Sequence, residues 1–463
     1  MRRVVVLETN EIPLAIYRWY ADRRPDSAIA EVLGEHAGQT RLAEDLGDKY
    51  LYPSQSWASV STGVPFQKHG IFWYADPKPA EFPLYWKQAV ETRSVGVVGS
   101  LHASPMDDIK NLPGLKFCVP EVFSSGTETL PSSLQPLHEF SVQMTNANAR
   151  AVTARSPIGS YAHGAVAAAR ARLRPDTIAR LASTAALVAA GRQSGERLRT
   201  AHFDLMADVF ERQLKHHDPD LTVFFTNHVA AAMHRYWFAS FPEDWTDELY
   251  SAEWREAHIN ELPAAMDSLD RFVGRMLRLC RTTDRTLVMV SSMGQVGGEP
   301  QIETATDVFV VREPGEFFRS LSVRHPHEIR TAMVPQVAAA FENESAALQA
   351  HQELDELHVN EPGVSADRSG HVVTVSYHLP ASSDGKVDYL GRVRRAHELG
   401  GEVIAVKEHR TGTHDPLGGL LCANSPTASL PTDPVDAFEF APAVLILLGL
   451  SPAPHHQTPT FSL

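Results

Sequence analysis

Polar side chains follow two short apolar runs of the sequence. Glu8 and Asn10 come just after Val4–Leu7, and Asn227 comes after Leu221–Phe225. Such β-branched and aromatic runs are typical of buried strands, and α/β sheets bind ligands beyond the carboxyl ends of their strands. Carboxylates at that edge can transfer protons, and carboxylates and amides can bind a substrate or hold a cation. The sequence therefore predicts a polar site there, although Glu8 could form a salt bridge and Asn10 could cap a helix.

Three histidines are candidates for acid–base chemistry or metal binding. His228 and His234 are six residues apart on a helical stretch, which puts them about 120° apart around the helix axis. They share a face only if the strand-to-helix turn falls between them. His414 follows Gly412 and Thr413, in a loop that allows close approach to a ligand. The alternative for each histidine is a purely structural, hydrogen-bonded role.

Three serines could contribute hydroxyl groups to the same site. Ser54 and Ser56 lie in a predicted turn before a helix, and Ser292 follows the apolar run Thr286–Val290. A serine becomes a nucleophile only when a base or a metal ion activates its oxygen, so Ser54 and Ser56 depend on a partner. Both could instead cap the helix that begins here. Ser292 could donate a hydrogen bond to a bound anion.

The surrounding pattern alternates short strands with longer helices. The predicted strands are Val4–Leu7, Ser94–Gly99, Leu221–Phe225, Thr286–Val290 and Gly401–Val406, and the predicted helices are Ile12–Leu33, Pro263–Leu279 and Phe438–Leu448. This alternation predicts an α/β fold whose mostly parallel central sheet is covered by helices on both faces. We expect a single domain spanning residues 1–463.

Two segments look like insertions into that framework. Residues 148–200 are rich in Ala and Arg, and we expect helices there. These helices either cap the site and guide a small anionic substrate by their charge, or simply present a solvated basic face. Residues 300–384 form a second insertion, whose pattern is harder to interpret.

The overall composition is that of a globular protein, with 463 residues, 43% hydrophobic and 21% charged. The formal net charge of −14 leaves no excess of Lys and Arg, which argues against binding to nucleic acid polymers. Cys118, Cys280 and Cys422 form no CxxC pair, so buried free thiols are expected. The apolar stretches are too short for a signal peptide or a membrane span, so we expect a cytoplasmic protein without a membrane partner.

Four segments occur in an informative order. They are VVVLETNEIP, PSQSWASVSTGVPFQKHGIFWY, DPDLTVFFTNHVAAAMHRYW with the helix and strand behind it, and GTHDPLGGLL with the closing helix. In this order they resemble the alkaline-phosphatase superfamily, in particular its type I phosphodiesterase/nucleotide pyrophosphatase branch. The resemblance implies a three-layer α/β sandwich with helical insertions. It also implies a site in which two divalent ions activate a Ser or Thr oxygen and neutralise the transferring group.

The sequence departs from that family at most of the metal-binding positions. Four positions where the resemblance places carboxylates or imidazoles hold other residues: Asn10, Ala230, Ser292 and Met293. The nucleophile position falls on Pro53, with Ser54 and Ser56 as the nearby hydroxyls. His234 and His414 match family histidines, and Glu8 could supply a missing charge.

These departures predict a reduced site with at most one divalent ion. The resemblance and the residues together assign Ser54, Ser56 and Glu8 to catalysis, Asn10, Asn227 and Ser292 to substrate binding, and His234, His414 and His228 to the metal. Asp415 is a further possible ligand. Imidazoles favour Zn, Fe, Cu or Ni over Mg or Ca. We expect one divalent transition metal, Zn, Fe or Mn, and a site without metal is the alternative.

Two functions are consistent with the sequence. The first is a hydrolase or transferase that acts on a phosphate, sulfate or related ester through this reduced site. The second is a degenerate superfamily member that was recruited to another reaction, to binding or to scaffolding. Clustered polar residues at strand ends favour the first function, and the lost ligands favour the second. The sequence makes no prediction about the oligomeric state.

Overall fold

The computed structural model describes most of the chain. The described residues are 2–42, 51–72, 74, 81–103, 109–123, 127–148, 173–195, 197–246, 248, 250–301, 306–321, 323–324, 326–330, 336–358, 363–389, 391–406 and 410–463. Much of the Ala/Arg-rich segment 148–200 and parts of the second insertion 300–384 therefore lie outside the described residues.

The described residues form nineteen strands and fourteen α-helices. The strands are β1 (Arg3–Thr9), β2 (His36–Arg41), β3 (Val95–Val98), β4 (Leu115–Val119), β5 (Leu221–Thr226), β6 (Arg285–Val290), β7 (Gly294–Gln301), β8 (Thr306–Val311), β9 (Glu328–Arg330), β10 (Gln336–Ala340), β11 (Val364–Ser369), β12 (Val372–Tyr377), β13 (Ala381–Ser382), β14 (Lys386–Tyr389), β15 (Arg392–Arg395), β16 (Gly401–Val406), β17 (Arg410–Asp415), β18 (Leu417–Ala423) and β19 (Val435–Asp436). The helices are α1 (Leu14–Arg23), α2 (Ala28–Glu35), α3 (Pro53–Thr62), α4 (Phe66–His69), α5 (Tyr85–Ala89), α6 (Gln135–Asn148), α7 (Pro175–Ala189), α8 (Arg197–His217), α9 (His228–Ser240), α10 (Ala252–His258), α11 (Glu261–Thr282), α12 (Pro314–Ser320), α13 (Glu344–His358) and α14 (Phe440–Leu447).

The central sheet has eight strands in the order β19-β2-β18-β6-β1-β5-β3-β4. Strand β1 lies in its middle and pairs in parallel with both β5 and β6. The pairs β3–β5, β3–β4 and β19–β2 are also parallel, whereas β18 runs antiparallel to β2 and β6. The predicted mostly parallel sheet is confirmed, and the carboxyl ends of β1, β5 and β6 meet at one edge.

Helices cover both faces of this sheet, because each central strand is apolar on both sides. Val5 and Leu7 of β1 enter a core shared with α1, α2, α8, α9 and α11. Val4 and Val6 enter a second core shared with α3, α5 and α14. The alternation of side chains along a strand thus places successive residues of β1 in opposite layers. The predicted three-layer α/β architecture is confirmed.

A smaller antiparallel sheet, β11-β12-β10-β9, lies in the region of the second insertion. It packs with α12 and α13 around its own apolar core, which includes Phe309, Phe317 and Tyr377. The assignment of residues 1–463 to one domain stays a prediction.

Two details of the sequence-based pattern differ from the structure. The predicted helix Ile12–Leu33 is two helices, α1 and α2, because Pro25 follows α1 and Ser27 caps α2 by accepting a hydrogen bond from the Ala30 amide at 3.1 Å. The strand Gly401–Val406 exists as β16, but it pairs antiparallel with β8 outside the central sheet.

The three cysteines are free and buried, as predicted. Among the described residues, no helix combines the length and the apolar character that a membrane span needs. The cytoplasmic location expected from the sequence stays a prediction.

Candidate functional site

A carboxylate and two imidazoles converge beyond the carboxyl end of β1. The Glu11 carboxylate Oε2 lies 2.9 Å from His234 Nε2 and 3.4 Å from His414 Nε2. The three ligand atoms all lie within 4.8 Å of one another, and no other such group of three or more occurs in the described part of the chain. We call Glu11, His234 and His414 the triad.

The backbone at Glu11 directs its side chain into the triad. Glu11 lies in the turn between β1 and α1, and its φ of +58° is in the left-handed region. For a residue with a Cβ this conformation costs on the order of 1 kcal/mol, and such strain is concentrated at functional sites. The side chain is almost fully buried, since 2% of it is exposed.

Each histidine is fixed by the element that carries it. His234 lies on α9, and its Nδ1 donates a hydrogen bond to the Gly412 carbonyl oxygen at 3.0 Å. A carbonyl can only accept, so Nδ1 carries a proton and Nε2 is the atom that faces Glu11. His414 lies on β17, where it pairs with Gln295 of the antiparallel strand β7.

The carboxamide of Gln295 holds one oxygen of Glu11. Its Nε2 donates to Glu11 Oε2 and also to the Ala230 carbonyl oxygen at 3.2 Å. Gln295 is fully buried, and its own Oε1 has no hydrogen-bond partner among the described residues. Gln295 therefore holds Oε2 of Glu11 in place through its Nε2, and its own Oε1 is still able to accept a hydrogen bond.

The carboxamide of Asn10 holds the other oxygen of Glu11. Its Nδ2 donates to Glu11 Oε1 and to Asn227 Oδ1, both at 2.7 Å. Its Oδ1 accepts a hydrogen bond from Trp57 Nε1 at 2.7 Å. Both polar atoms of the Asn10 side chain are therefore hydrogen-bonded. Asn227 is exposed beside it and uses only its Oδ1 in this network.

The electrostatics of the triad favour an ionised carboxylate. Burial by itself raises the pKa of Glu11. The charges of His414 and His234, together with their hydrogen bonds, outweigh burial and hold the pKa of Glu11 well below its usual range. The group therefore offers an anion and two nitrogen atoms to whatever occupies it.

Glu8, the carboxylate expected beside the histidines, lies elsewhere. It shares the β1 face with Val4 and Val6, and it accepts a hydrogen bond from the Tyr85 hydroxyl at 3.0 Å. Burial raises the pKa of Glu8 to about 7, against smaller opposing effects of hydrogen bonds from Ser100 and Tyr85. The structure therefore replaces Glu8 by Glu11 as the neighbour of the two imidazoles.

His228 is directed away from the triad and into the core. Its ring stacks on Phe203 with centroids 3.8 Å apart. Its Nε2 donates to the Ala265 carbonyl oxygen at 3.1 Å, and its Nδ1 accepts from the Thr226 hydroxyl at 2.7 Å. Burial lowers the pKa of His228 to about 3. Both nitrogens are occupied, so the geometry does not support the predicted metal-binding role.

The three serines are buried and hydrogen-bonded. Ser54, in the first turn of α3, donates to the Phe72 carbonyl oxygen at 2.7 Å. The hydroxyls of Ser56 and Ser292 lie 2.8 Å apart, and both residues are fully buried. None of these hydrogen bonds involves a member of the triad.

Asp415 and Met293, which the sequence also suggested for the site region, both lie outside the triad. Asp415 pairs with Gly294, and its carboxylate accepts a hydrogen bond from the Leu417 amide at 2.9 Å. Met293 is fully buried in the apolar core that contains Val4 and Val6. Asp415 is not a member of the triad, and Met293 offers it no ligand.

The sequence interpretation missed Glu11 and Gln295. Glu11 is the residue after Asn10, the position where the family resemblance places an Asp, so a carboxylate displaced by one residue was available as a signal. Gln295 lies opposite His414 in the β7–β17 pairing. No sequence signal for that pairing exists, because the two strands are far apart in the chain.

The donor set fits one divalent transition metal ion. Two imidazoles and one carboxylate are a common ligand set for zinc and for non-haem iron. Ligand atoms about 2.1 Å from a tetrahedral ion are about 3.4 Å apart. The separation of His414 Nε2 and Glu11 Oε2 is 3.4 Å, whereas His234 Nε2, at 2.9 Å, is within direct hydrogen-bond distance of Glu11 and would have to move slightly to bind an ion. The hydrogen bond from His234 Nδ1 to a carbonyl oxygen also matches the usual support of a metal-binding histidine.

The triad is also open to solvent on one side. The side chains of His234 and His414 are 24% and 23% exposed, although Glu11 is buried. An ion held here would keep positions for water or a substrate, as catalytic metal sites do. Within the described residues, the triad is the one group of three or more His, Cys, Asp or Glu side chains placed to hold an ion.

Comparisons with known proteins give structural matches alone. No protein-family model matches the chain, and no curated protein matches its sequence. Murine ectonucleotide pyrophosphatase/phosphodiesterase 5 is 10% identical, covers 99% of this chain and 97% of its own, and has a TM-score of 0.41. Phosphonoacetate hydrolase from Sinorhizobium meliloti 1021, in complex with phosphonoformate, is 13% identical, covers 95% and 94%, and also has a TM-score of 0.41. Both proteins belong to the superfamily that the sequence segments resemble.

Proposed function

We propose that the protein is a hydrolase or transferase that acts on a small phosphate, sulfate or related ester, with one divalent transition metal bound by Glu11, His234 and His414. The observation that carries this proposal is the convergence of these three side chains at an open edge of the sheet. When bound, the ion would supply Lewis-acid chemistry toward water or an ester oxygen.

The residues around the triad have defined roles in this proposal. Asn10 and Gln295 fix the two oxygens of Glu11, so the carboxylate does not need to reorganise when a ligand arrives. The Asn227 side chain is held through its Oδ1, which leaves its exposed amide group to donate to a substrate oxygen. Zn, Fe and Mn are the metals proposed, since imidazoles make up most of the donor set.

The attacking oxygen comes from water or from a serine. Ser54 and Ser56 are the proposed serine nucleophiles, but both hydroxyls are buried and hydrogen-bonded away from the triad. A buried hydroxyl without a base has little nucleophilic character. This burial favours water as the nucleophile, and hence a hydrolase over a transferase.

The second candidate is the degenerate superfamily member without ester hydrolysis. One observation favours it, namely that Pro53 occupies the N-terminal turn of α3 where the family resemblance places the nucleophile. In that case the triad would be an ion pair or a structural metal site, and the protein would bind a ligand or serve as a scaffold.

Metal analysis combined with activity assays tests the proposal. Protein purified without chelator is expected to contain at most one Zn, Fe or Mn per chain by elemental analysis. It should release p-nitrophenol from at least one of p-nitrophenyl phosphate, bis(p-nitrophenyl) phosphate and p-nitrophenyl sulfate. A chelator should abolish the release, and the native metal should restore it.

The possible outcomes separate the two candidates. Two ions at full occupancy would contradict a site limited to one metal. Bound metal without turnover of any ester would favour a structural or binding role. Turnover that survives complete removal of metal, with His414→Ala as active as the unchanged protein, would remove the triad from the reaction.

A further inference from the structure

A second polar cleft lies among helices α7, α8 and α11. Its volume is about 210 Å³. Three of its lining residues are arginines, and each comes from a different helix: Arg180 from α7, Arg197 from α8 and Arg271 from α11. None of the triad residues lines it. The lining also includes the carboxylates of Asp204 and Asp267, so its three guanidinium groups exceed its carboxylates by one, which allows an anion to bind.

Two of these arginines share one carboxylate oxygen. Arg180 Nε lies 3.3 Å and Arg271 Nη2 lies 3.6 Å from Oδ2 of the buried residue Asp204. The other oxygen of Asp204 accepts a hydrogen bond from the Ser268 hydroxyl at 2.5 Å. Arg180 also contacts Asp176, which is about half exposed. Asp204 therefore anchors two guanidinium groups but carries a single negative charge.

The third arginine and the rim carboxylate complete the charge pattern. Arg197 Nε lies 2.9 Å from Glu261, and its Nη2 donates to the Asn260 carbonyl oxygen at 2.9 Å. Asp267 on the rim accepts a hydrogen bond from the Tyr20 hydroxyl, and it lies 3.6 Å from Arg24, which is outside the cleft. Each guanidinium has five N–H donors, and these contacts occupy only some of them, so donors remain for a ligand.

The side-chain oxygen of Gln193, which also lines the cleft, can accept a hydrogen bond from a ligand. Gln193 lines the cleft, and its Oε1 is buried without a hydrogen-bond partner among the described residues. An unsatisfied buried acceptor costs about 1–3 kcal/mol, which a ligand hydroxyl would recover. A matching ligand combines an anionic group with at least one hydroxyl.

We propose that this cleft binds a small hydroxylated phosphate monoester, independently of the triad. The phosphate contacts Arg180, Arg197 and Arg271, because a tetrahedral dianion offers several oxygens to donors that approach from three directions. A ligand hydroxyl donates to Gln193 Oε1. The volume of about 210 Å³ is enough for the phosphate and a short hydroxylated chain.

Phosphorus NMR titration of the full-length protein tests this site. The probes are glycerol 3-phosphate, n-propyl phosphate, which has the same carbon chain without hydroxyls, and inorganic phosphate. We expect glycerol 3-phosphate to bind most tightly. Arg271→Ala should weaken its binding about tenfold or more, which corresponds to the loss of a charge-assisted hydrogen bond. The Arg271 side chain is 43% exposed and its ion pair with Asp204 is long at 3.6 Å, so the variant should fold.

Matched variants separate the cleft from general electrostatics and from the triad. Arg278→Ala removes the same charge from the same exposed side of α11, two turns further on, and should change the affinity less than twofold. Gln193→Leu should abolish the preference for glycerol 3-phosphate over n-propyl phosphate. Glu11→Gln should leave binding unchanged, whether or not the protein hydrolyses esters.

Three results would overturn the proposal. The first is no binding of glycerol 3-phosphate at millimolar concentration. The second is an equal loss of affinity in Arg271→Ala and Arg278→Ala, which would indicate only a diffuse surface field. The third is binding that disappears in Glu11→Gln but persists in Arg271→Ala, which would assign the phosphate to the triad.

Discussion

Two groups of polar residues near the same edge of the sheet differ in the hydrogen-bond partners of their side chains. In the triad, Asn10 holds Oε1 of Glu11 and the Gly412 carbonyl oxygen holds Nδ1 of His234, so Oε2 of Glu11 and one nitrogen of each histidine converge. In a second group, which we call the closed polar set (Glu8, Ser54, Ser56, His228 and Ser292), each side chain forms at least one hydrogen bond to a partner outside the triad. Both groups contain a glutamate that lies in or follows β1 and at least one histidine of α9. A side chain can bind a ligand only if its hydrogen bonds leave one oxygen or nitrogen atom directed toward the open edge of the sheet.

Glu8 and Glu11 show how this difference arises from the backbone. Glu8 lies within β1, where the pleat directs it to the face that contains Val4 and Val6. Glu11 lies beyond the strand, in a left-handed turn that is free of the pleat. A regular strand therefore buries its last carboxylate, and the irregular turn after it points a carboxylate toward the edge.

Replacing each carboxylate by its amide should give the largest contrast between the groups. Glu11→Gln removes the anionic ligand, so metal affinity should fall about 100-fold or more, with a parallel loss of esterase activity. Glu8→Gln should retain the metal. Elemental analysis and p-nitrophenyl ester assays measure both effects. Equal metal content in the two variants would end the distinction between Glu8 and Glu11.

The histidines offer the next contrast. His234→Ala should lower metal content, and it should also cost about 1–3 kcal/mol, because it removes one charge partner of the buried Glu11 carboxylate and one hydrogen bond to Gly412. His228→Ala should keep the metal but cost about 2–4 kcal/mol, since it removes a stacked ring and two buried hydrogen bonds. Denaturant unfolding with metal analysis checks both. Loss of metal in a well-folded His228→Ala would move that residue into the site.

The pH dependence of stability should identify Glu8 as a buried acid. Its pKa is about 7 in the folded protein against an ordinary 4.5, so the folded state holds this proton more tightly. The stabilisation is complete below pH 4.5 and is lost as pH rises through 7, with a maximum of about 3 kcal/mol. Glu8→Gln should not lose it, so its stability relative to the unchanged protein should increase between pH 5 and 8. A pH-independent difference would contradict this.

The serines should show the smallest effects. If water is the nucleophile, Ser54→Ala and Ser56→Ala should each change kcat less than about threefold, because each replaces one buried hydroxyl by a hydrogen atom. Loss of more than 100-fold in kcat, with metal content retained, would instead identify that serine as the nucleophile. Trapping of a covalent phosphoryl or sulfuryl enzyme would establish the same point.

The fold could be predicted from the sequence further than the site could. Apolar runs marked β1, β3, β5 and β6 because burial on both faces leaves a continuous signal. His234 and His414 could be identified because family motifs surround them. Glu11 could not, since its role depends on a single left-handed residue, and pattern-based prediction does not resolve such a conformation.

Packing contacts also explain why His228 lies in the core and not in the triad. Six residues of regular helix would keep His228 and His234 on different sides, and the structure places them in the core and at the edge. The contacts that hold His228, to Ala265 and Phe203, come from helices distant in sequence. Such long-range packing leaves no local signal in the sequence.

The amides of Asn10 and Gln295 have a consequence for substrate choice. Because both are neutral, Glu11 would be the sole negative charge set against a divalent ion, and the loaded site would carry a net charge of +1 when both imidazoles are neutral. A singly charged ester, such as a phosphodiester or a sulfate monoester, would bring that site to electroneutrality. A doubly charged phosphate monoester would leave an uncompensated negative charge beside the buried carboxylate. The neutrality of Asn10 and Gln295 would therefore make the site prefer singly charged esters over doubly charged ones.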